Sequence, residues 1–147
     1  MSYEILPDIS GDISRWVCRG LNENSEWLGE NITFGFAYNN RMVGGLIFHD
    51  YTPHRDVWWT IYSCDKHWCN RITLRRMFAV AFEYLDCRRI NLLVSESNSH
   101  CLDFVQRLGF KKEGLLRHYR ENGENCHILG MLREECPWFN FLGEKNE

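Results

Sequence analysis

Residues 71–94 read Arg71-Ile72-Thr73-Leu74-Arg75-Arg76-Met77-Phe78-Ala79-Val80-Ala81-Phe82-Glu83-Tyr84-Leu85-Asp86-Cys87-Arg88-Arg89-Ile90-Asn91-Leu92-Leu93-Val94. Leu74, Met77, Phe78, Ala81, Phe82 and Leu85 fall at i, i+3, i+4, i+7, i+8 and i+11, which places them on one helix face. The spacing predicts a helix from about Arg71 to Leu85. Ile90 to Val94 is short and mostly apolar, as a strand inside a sheet would be. Before the helix, Val57-Trp58-Trp59-Thr60-Ile61-Tyr62-Ser63 is rich in aromatic and β-branched residues and predicts another strand. Strand, helix, strand is a crossover unit, so these two strands are expected to run parallel.

Upstream, Thr33 to Tyr38 and Met42 to His49 predict two strands joined by a turn at Asn39-Asn40-Arg41, because Asn tolerates positive φ. With 57–63 they outline an antiparallel meander. Ile13, Trp16, Val17 and Leu21 share a face of a helix from about Asp12 to Leu21, with Ser10 or Asp12 as cap. Residues 22–31 are a loop or hold a second short helix around Trp27-Leu28. Downstream, Cys101, Phe104, Val105 and Leu108 mark a helix from Ser99 to Leu108, capped by Asn98 or Ser99 and closed by Gly109. Phe110 to Tyr119 and Asn125 to Leu132 predict two strands around the hairpin signal Asn122-Gly123. The tail 133–138 is expected to be irregular. The order α, β, β, β, α, β, α, β, β fits an α/β (α+β) fold, one mixed sheet covered by helices, in a single domain spanning 1–147.

Composition bounds the function classes. The 147 residues are 44% hydrophobic and 25% charged, which describes a packed domain rather than a disordered chain or a bilayer span. A formal net charge of −3 argues against nucleic acid as partner. Seven cysteines cannot all pair internally. The first residues lack a basic n-region and an apolar h-region, so free thiols in the cytoplasm are expected. Cys64, His67 and Cys69 offer three zinc-type ligands, but no CxxC and no second knuckle accompany them, and no metal is expected.

Two junctions stand out chemically. Arg71, Arg75 and Arg76 lie in the first two turns of the helix after strand 57–63, where cations face the positive end of the macrodipole. Either they lie on the solvated face, or an anion sits at that end and collects backbone N–H groups, dipole and guanidinium forks together. Beyond strand 90–94, Ser95-Glu96-Ser97-Asn98 leaves the sheet at the edge where open α/β sheets bind ligands. Asn98 there is a helix cap or a ligand for an amide.

The stretch Asn98-Ser99-His100-Cys101-Leu102-Asp103-Phe104-Val105-Gln106-Arg107-Leu108-Gly109-Phe110-Lys111-Lys112-Glu113-Gly114-Leu115-Leu116-Arg117 resembles the N-x-x-[AS]…LGF-x-x-EG-x-x-R signature of the GNAT acetyltransferases. It looks most like the subgroup that acetylates ribosomal-protein N-termini. Ala81-Phe82-Glu83, Arg89-Ile90, Asn122-Gly123 and Gly130-Met131-Leu132 agree in order, so the likeness covers about Thr33 to Glu135. It implies a GNAT-like, mostly antiparallel sheet with a central parallel pair splayed at one end and flanked by helices. It implies acetyl-CoA as cosubstrate and an amine as acceptor: a protein N-terminus, a lysine or a small amine. The pantetheine arm would pair with Ile61, Tyr62, Ser63 and Cys64, and the pyrophosphate would rest on the segment from Asp65, with Lys66, Cys69, Asn70, Arg71 and Arg75. Asn98 and Cys101 would complete the cofactor side.

Two departures matter. The family's phosphate loop is [QR]-x-x-G-x-[GA], whereas this chain has Asp65-Lys66-His67-Trp68-Cys69-Asn70, without the small residues that let phosphate approach backbone. Many members carry a Tyr general acid where this chain has Val105. The expected reaction is direct attack of the amine on the thioester in one ternary complex. Glu96 is the first candidate base, because an amine is largely protonated at neutral pH. His54 is the alternative, with His49 and Asp56 beside it. Three classes are thus in play: an acetyltransferase, a catalytically idle module of the same shape that binds a protein, and a zinc-binding interaction domain on Cys64, His67 and Cys69. The chain is expected to be a monomer or homodimer, and Trp138-Phe139-Asn140-Phe141 is an aromatic tail that docks on its own domain or on a second copy.

Overall fold

The computed structural model describes residues 2–138. Its elements are β1 (Tyr3–Pro7), α1 (Asp12–Gly20), β2 (Asn31–Tyr38), β3 (Arg41–Thr52), β4 (Asp56–Ser63), α2 (Arg71–Ala79) with a π-helical turn (Val80–Tyr84), β5 (Arg89–Ser95), α3 (Ser99–Leu108), β6 (Lys111–Leu116), β7 (Cys126–Leu132) and a 3₁₀ turn (Arg133–Glu135). The seven strands form one mixed, mostly antiparallel sheet with one parallel pair, in the order β1-β2-β3-β4-β5-β7-β6. This is the expected α/β class with helices on a mixed sheet. Residues 139–141 of the aromatic tail lie outside the described residues; the indole N–H of Trp138 donates to the Leu108 carbonyl at 2.8 Å.

The described residues divide into two compact bodies, 2–51 with 58–77 and 52–57 with 78–138. In the first, β1 pairs antiparallel with β2, Tyr3 opposite Tyr38 and Pro7 opposite Phe34. No alternating apolar pattern in the sequence marks this strand. It is five residues long and ends on Pro7, which lacks a ladder donor and is tolerated at an edge. Its neighbour β2 pairs with β3 through a bulge at Phe36/Ala37. On this sheet α1 buries Ser14, Val17 and Cys18, joined by Ile47 and bordered by Ile13, Trp16, Leu21, Leu28 and Tyr62. Gly45 permits the approach, since a Cβ there would lie 2.5 Å from Val17 Cγ2. No second helix forms around Trp27-Leu28.

The cap of α1 also differs from expectation. Ser10 hydrogen-bonds the Asp12 carboxylate, and neither side chain caps the helix. The N-cap residue is Gly11, at φ 89°, and its amide and that of Ser14 both donate to the Asp8 carboxylate at 2.9 Å. The cap thus comes from Asp8, three residues before the N-cap position. Asp8→Ala should cost about 1 kcal/mol, the usual value of a lost cap, measured by urea unfolding. An unchanged midpoint would show that water replaces the carboxylate.

In the second body β5 pairs antiparallel with β7 from Arg89↔Leu132 to Ser95↔Cys126, and β6 pairs with β7 through a bulge at Lys112/Gly114. Phe78, Phe82 and Phe110 form its aromatic centre, with ring centroids 6.3 Å apart for Phe78–Phe82 and 6.2 Å for Phe78–Phe110. The predicted helix 71–85 is not α-helical throughout. Its last turn widens, with the Leu85 amide reaching the Val80 carbonyl at 2.8 Å, and the Phe82 carbonyl accepts from the Arg133 guanidinium. Strand β6 stops at Leu116, before the expected Tyr119, and the turn at 120–123 closes with Gly123 at φ 87°. Among the described residues, no helix is long and apolar enough to cross a membrane.

Candidate functional site

The candidate cofactor residues 61–75 belong to the first body; His54, Glu96, Asn98 and Cys101 belong to the second. At the end of β4, Ile61, Tyr62 and Ser63 are half-buried and Cys64 is exposed. The Cys64 amide donates to the Val43 carbonyl at 3.0 Å. Tyr62 meets the Trp16 ring edge-on at 5.2 Å, so its side chain is part of the packing under α1.

The loop after β4 is braced by acid and aromatics. The Asp65 carboxylate accepts from the backbone N–H of His67 at 2.8 Å and from Arg41 at 2.8 Å, and lies 2.9 Å from His67 Nδ1. The His67 amide above all, then its ring, holds this carboxyl below its ordinary pKa. His67 in turn stacks on Tyr38 at 4.3 Å. Trp68, where the family has a small residue, packs against Phe36 at 5.9 Å and over Gly44, where a Cβ would be 2.9 Å from Trp68 Cβ. The Trp68 carbonyl accepts from the Tyr3 hydroxyl at 2.5 Å. Burial pushes the Tyr3 hydroxyl up to about 12 and the Cys69 thiol also up to about 12. Cys69 is therefore a neutral thiol rather than a reactive thiolate.

Asn70 caps α2: its Oδ1 accepts from the Thr73 amide at 2.9 Å. Its side chain holds the helix start, so any help with phosphate comes from its neighbours. Lys66, Arg71 and Arg75 are all exposed. Cys64 Sγ faces the Met42 and Val43 carbonyls, both at 3.7 Å, while His67 is engaged by Asp65. Among the described residues, no group of three or more His, Cys, Asp or Glu is placed to hold a metal ion.

In the second body Asn98 is the N-cap of α3, its Oδ1 accepting from the Cys101 amide at 3.2 Å. Burial raises the Cys101 thiol to about 11. Val105 is fully buried in the inner stripe of α3 and offers no proton donor. Glu96 is exposed and accepts from the Asn125 amide at 3.3 Å. Asn125 also lines an open cleft of about 570 Å³ with Leu115, Leu116, Arg117 and His118. The His54 side chain is 77% exposed and lies 2.8 Å from the Asp86 carboxylate. Asp56 is buried and accepts from Asn91 at 2.7 Å and from Arg55 at 3.0 Å, the bonding of a structural carboxylate.

His49 differs from these. It is buried, with Nδ1 2.6 Å from the Asp50 carboxylate, Nε2 2.8 Å from the Thr60 hydroxyl, and the Trp27 ring edge-on at 4.8 Å. Asp50 and Thr60 escaped the sequence reading, since nothing local signals a contact between residues eleven apart on two strands.

No family model matches the chain, and no curated protein matches it. Solved structures do match. A mutant spermidine N-acetyltransferase from Vibrio cholerae is 15% identical, covering 90% of this chain and 94% of its own, with a TM-score of 0.69. A dodecameric structure of the Vibrio cholerae spermidine N-acetyltransferase in an intermediate state is 17% identical at the same coverages, with a TM-score of 0.71. A structure described as a putative acetyltransferase is 21% identical over 73% of this chain and 60% of its own, with a TM-score of 0.64. Seven strands in this order, with helices after β1, β4 and β5, give this chain the fold of the GNAT acetyltransferases.

Proposed function

We propose that the chain is a single-domain, acyl-CoA-dependent N-acetyltransferase working in the cytoplasm as a monomer or homodimer. Acetyl-CoA is the donor, and the acceptor is an amine: a protein N-terminus, a lysine or a small amine. The observation that carries the reading is the junction of β4 and α2. A strand end with half-buried residues 61–63 leads into a helix whose start is capped by Asn70 and bordered by exposed Lys66, Arg71 and Arg75. Such a start attracts phosphate through the helix dipole and the cationic side chains beside it. Ile61 to Cys64 would pair with the pantetheine arm, and the resemblance adds Asn98 and Cys101 as cofactor residues. The amine attacks the thioester carbonyl carbon, the C–S bond breaks, and the CoA sulfur leaves as thiolate. Backbone N–H groups of β4 would stabilise the oxyanion. The likeness of residues 98–117 to the ribosomal-protein subgroup favours a protein N-terminus, and the spermidine enzymes of like fold favour a small polyamine.

The second reading is an idle module of the same shape. Trp68 favours it, since it occupies a position where the family keeps a small residue beside the phosphate. Thermal unfolding with acetyl-CoA separates the two. A ligand at a hundred times its Kd adds about 2.7 kcal/mol to the native state. Wild type should show that rise, and Arg71→Ala and Asn98→Ala should each weaken binding, Arg71→Ala by about tenfold, the worth of one charged hydrogen bond. No shift at millimolar acetyl-CoA would leave the idle module standing.

A further inference from the structure

The other candidate bases are already engaged. Glu96 takes Asn125, His54 faces Asp86 in solvent, and Asp56 is closed in by Asn91 and Arg55. The buried imidazole of His49 is held at both nitrogens by partners of different chemistry. An ionised carboxylate only accepts, so Nδ1, 2.6 Å from Asp50, carries the hydrogen. A neutral imidazole with its hydrogen on Nδ1 has an acceptor at Nε2, and the Thr60 hydroxyl therefore donates to it over 2.8 Å. That leaves lone pairs on Thr60 Oγ1 to receive a proton from outside. Thr60 is half-buried and directly precedes Ile61, where the strand end assigned to the pantetheine arm begins.

We infer that Thr60, His49 and Asp50 form a proton relay, in which the acceptor ammonium passes its proton through the Thr60 hydroxyl to His49. The inference rests on the acetyltransferase reading above. One N–H bond of the ammonium breaks as Thr60 Oγ1 takes the proton, and the Thr60 O–H bond breaks as His49 Nε2 takes that one. The imidazolium so formed is stabilised by Asp50, and the freed amine pair attacks the thioester. The nitrogen sheds a second proton after attack. The departing thiolate takes one of the two, and solvent takes the other as His49 resets.

The surroundings suit the task. Burial pushes the His49 imidazole below its ordinary pKa, while Asp50 and, more weakly, Glu23 pull it back up. Asp50 and Glu23 are the charged groups acting on it among the described residues, and Thr60 and Trp27 are also in contact with it. The lowering favours the neutral imidazole that a base requires, and activity is lost as pH falls through the His49 pKa.

The test measures kcat/KM against pH with spermidine and with a short peptide bearing a free N-terminal amine. Wild type should stay level from pH 7 to pH 9. His49→Gln and Thr60→Val should lower kcat by about 10²-fold or more, the contribution of a positioned base. Their residual rates should climb by up to about tenfold per pH unit below the acceptor amine's own pKa and level off above it, near pH ~8 for the peptide, with acetyl-CoA affinity unchanged. Thr60→Ser, which keeps the hydroxyl, should retain wild-type behaviour and guards against simple misfolding. A level profile and wild-type rate in His49→Gln would overturn the relay while leaving the acetyltransferase reading intact. Nitrogen NMR of the unliganded protein gives an independent check, since a hydrogen found on Nε2 rather than Nδ1 also overturns it. Wild type that neither binds acetyl-CoA nor acetylates either amine overturns the enzyme reading and the relay with it.

Discussion

Phe82→Ala should lower the unfolding free energy by about 3–5 kcal/mol. That is a large share of the roughly 5–15 kcal/mol that holds a domain together. Phe82 is fully buried and lies parallel to Phe78, with centroids 6.3 Å apart and planes 6° from coplanar. Phe78 in turn touches Phe110. Two features keep the resulting cavity open. Phe82 sits in the π-turn, whose widened ladder fixes the backbone around it, and its carbonyl is tied to the Arg133 guanidinium. The backbone cannot drop inward to fill the space, so the cost belongs at the upper end of the range. For a chain of this length the melting temperature should fall by about 10 °C or more. Phe78→Ala should cost a similar amount, and the double variant less than the sum, because the ring pair is lost only once. Urea unfolding of the three variants checks this, and a loss under 1 kcal/mol for Phe82→Ala would mean that the π-turn collapses on itself.

The same segment shows what was legible and what was not. The apolar stripe of 74–85 is visible because it recurs at helical spacing, and α3 is visible because its stripe is bracketed by Asn98 and Gly109. The π-turn is hidden, since an i to i+5 ladder confined to one turn leaves the apolar spacing nearly unchanged. β1 is hidden for want of length, and its existence depends on β2 offering an edge. The cap of α1 is hidden because the carboxylate comes from Asp8, outside the usual cap positions. For the site, the strand end and the basic helix start were readable from residue types along the chain. The His49–Thr60 contact was not, because it joins two strands and depends on which faces their side chains occupy. Neither was the seat of Trp68, whose bulk looked like an obstacle but is absorbed by Phe36 and Gly44.

That seat leads to the second large effect. Gly44→Val should displace the loop 65–70 and, on the proposed function, reduce acetyl-CoA affinity by at least tenfold. A Cβ at residue 44 would lie 2.9 Å from Trp68 Cβ and 3.1 Å from the Tyr62 carbonyl oxygen. The first is already too close, and Val adds two methyl groups beyond it. Overpacking of this kind costs about 1–3 kcal/mol. The functional loss should exceed that share, because Trp68 leads through Cys69 into the Asn70 cap of α2. Moving Trp68 moves the helix start and the bases of Lys66 and Arg71 with it, and small displacements of binding groups have large effects on ligands held by several of them. Gly45→Ala is the matched control. Its Cβ would press on Val17 at 2.5 Å, so it should also destabilise the first body, but against α1 rather than the loop. Calorimetry with acetyl-CoA on both variants, at a temperature where each is folded, separates the effects. Gly45→Ala should bind as wild type does and Gly44→Val should not. Equal affinity in the two would remove the loop 65–70 from the binding site, and with it the main physical argument for phosphate at the start of α2.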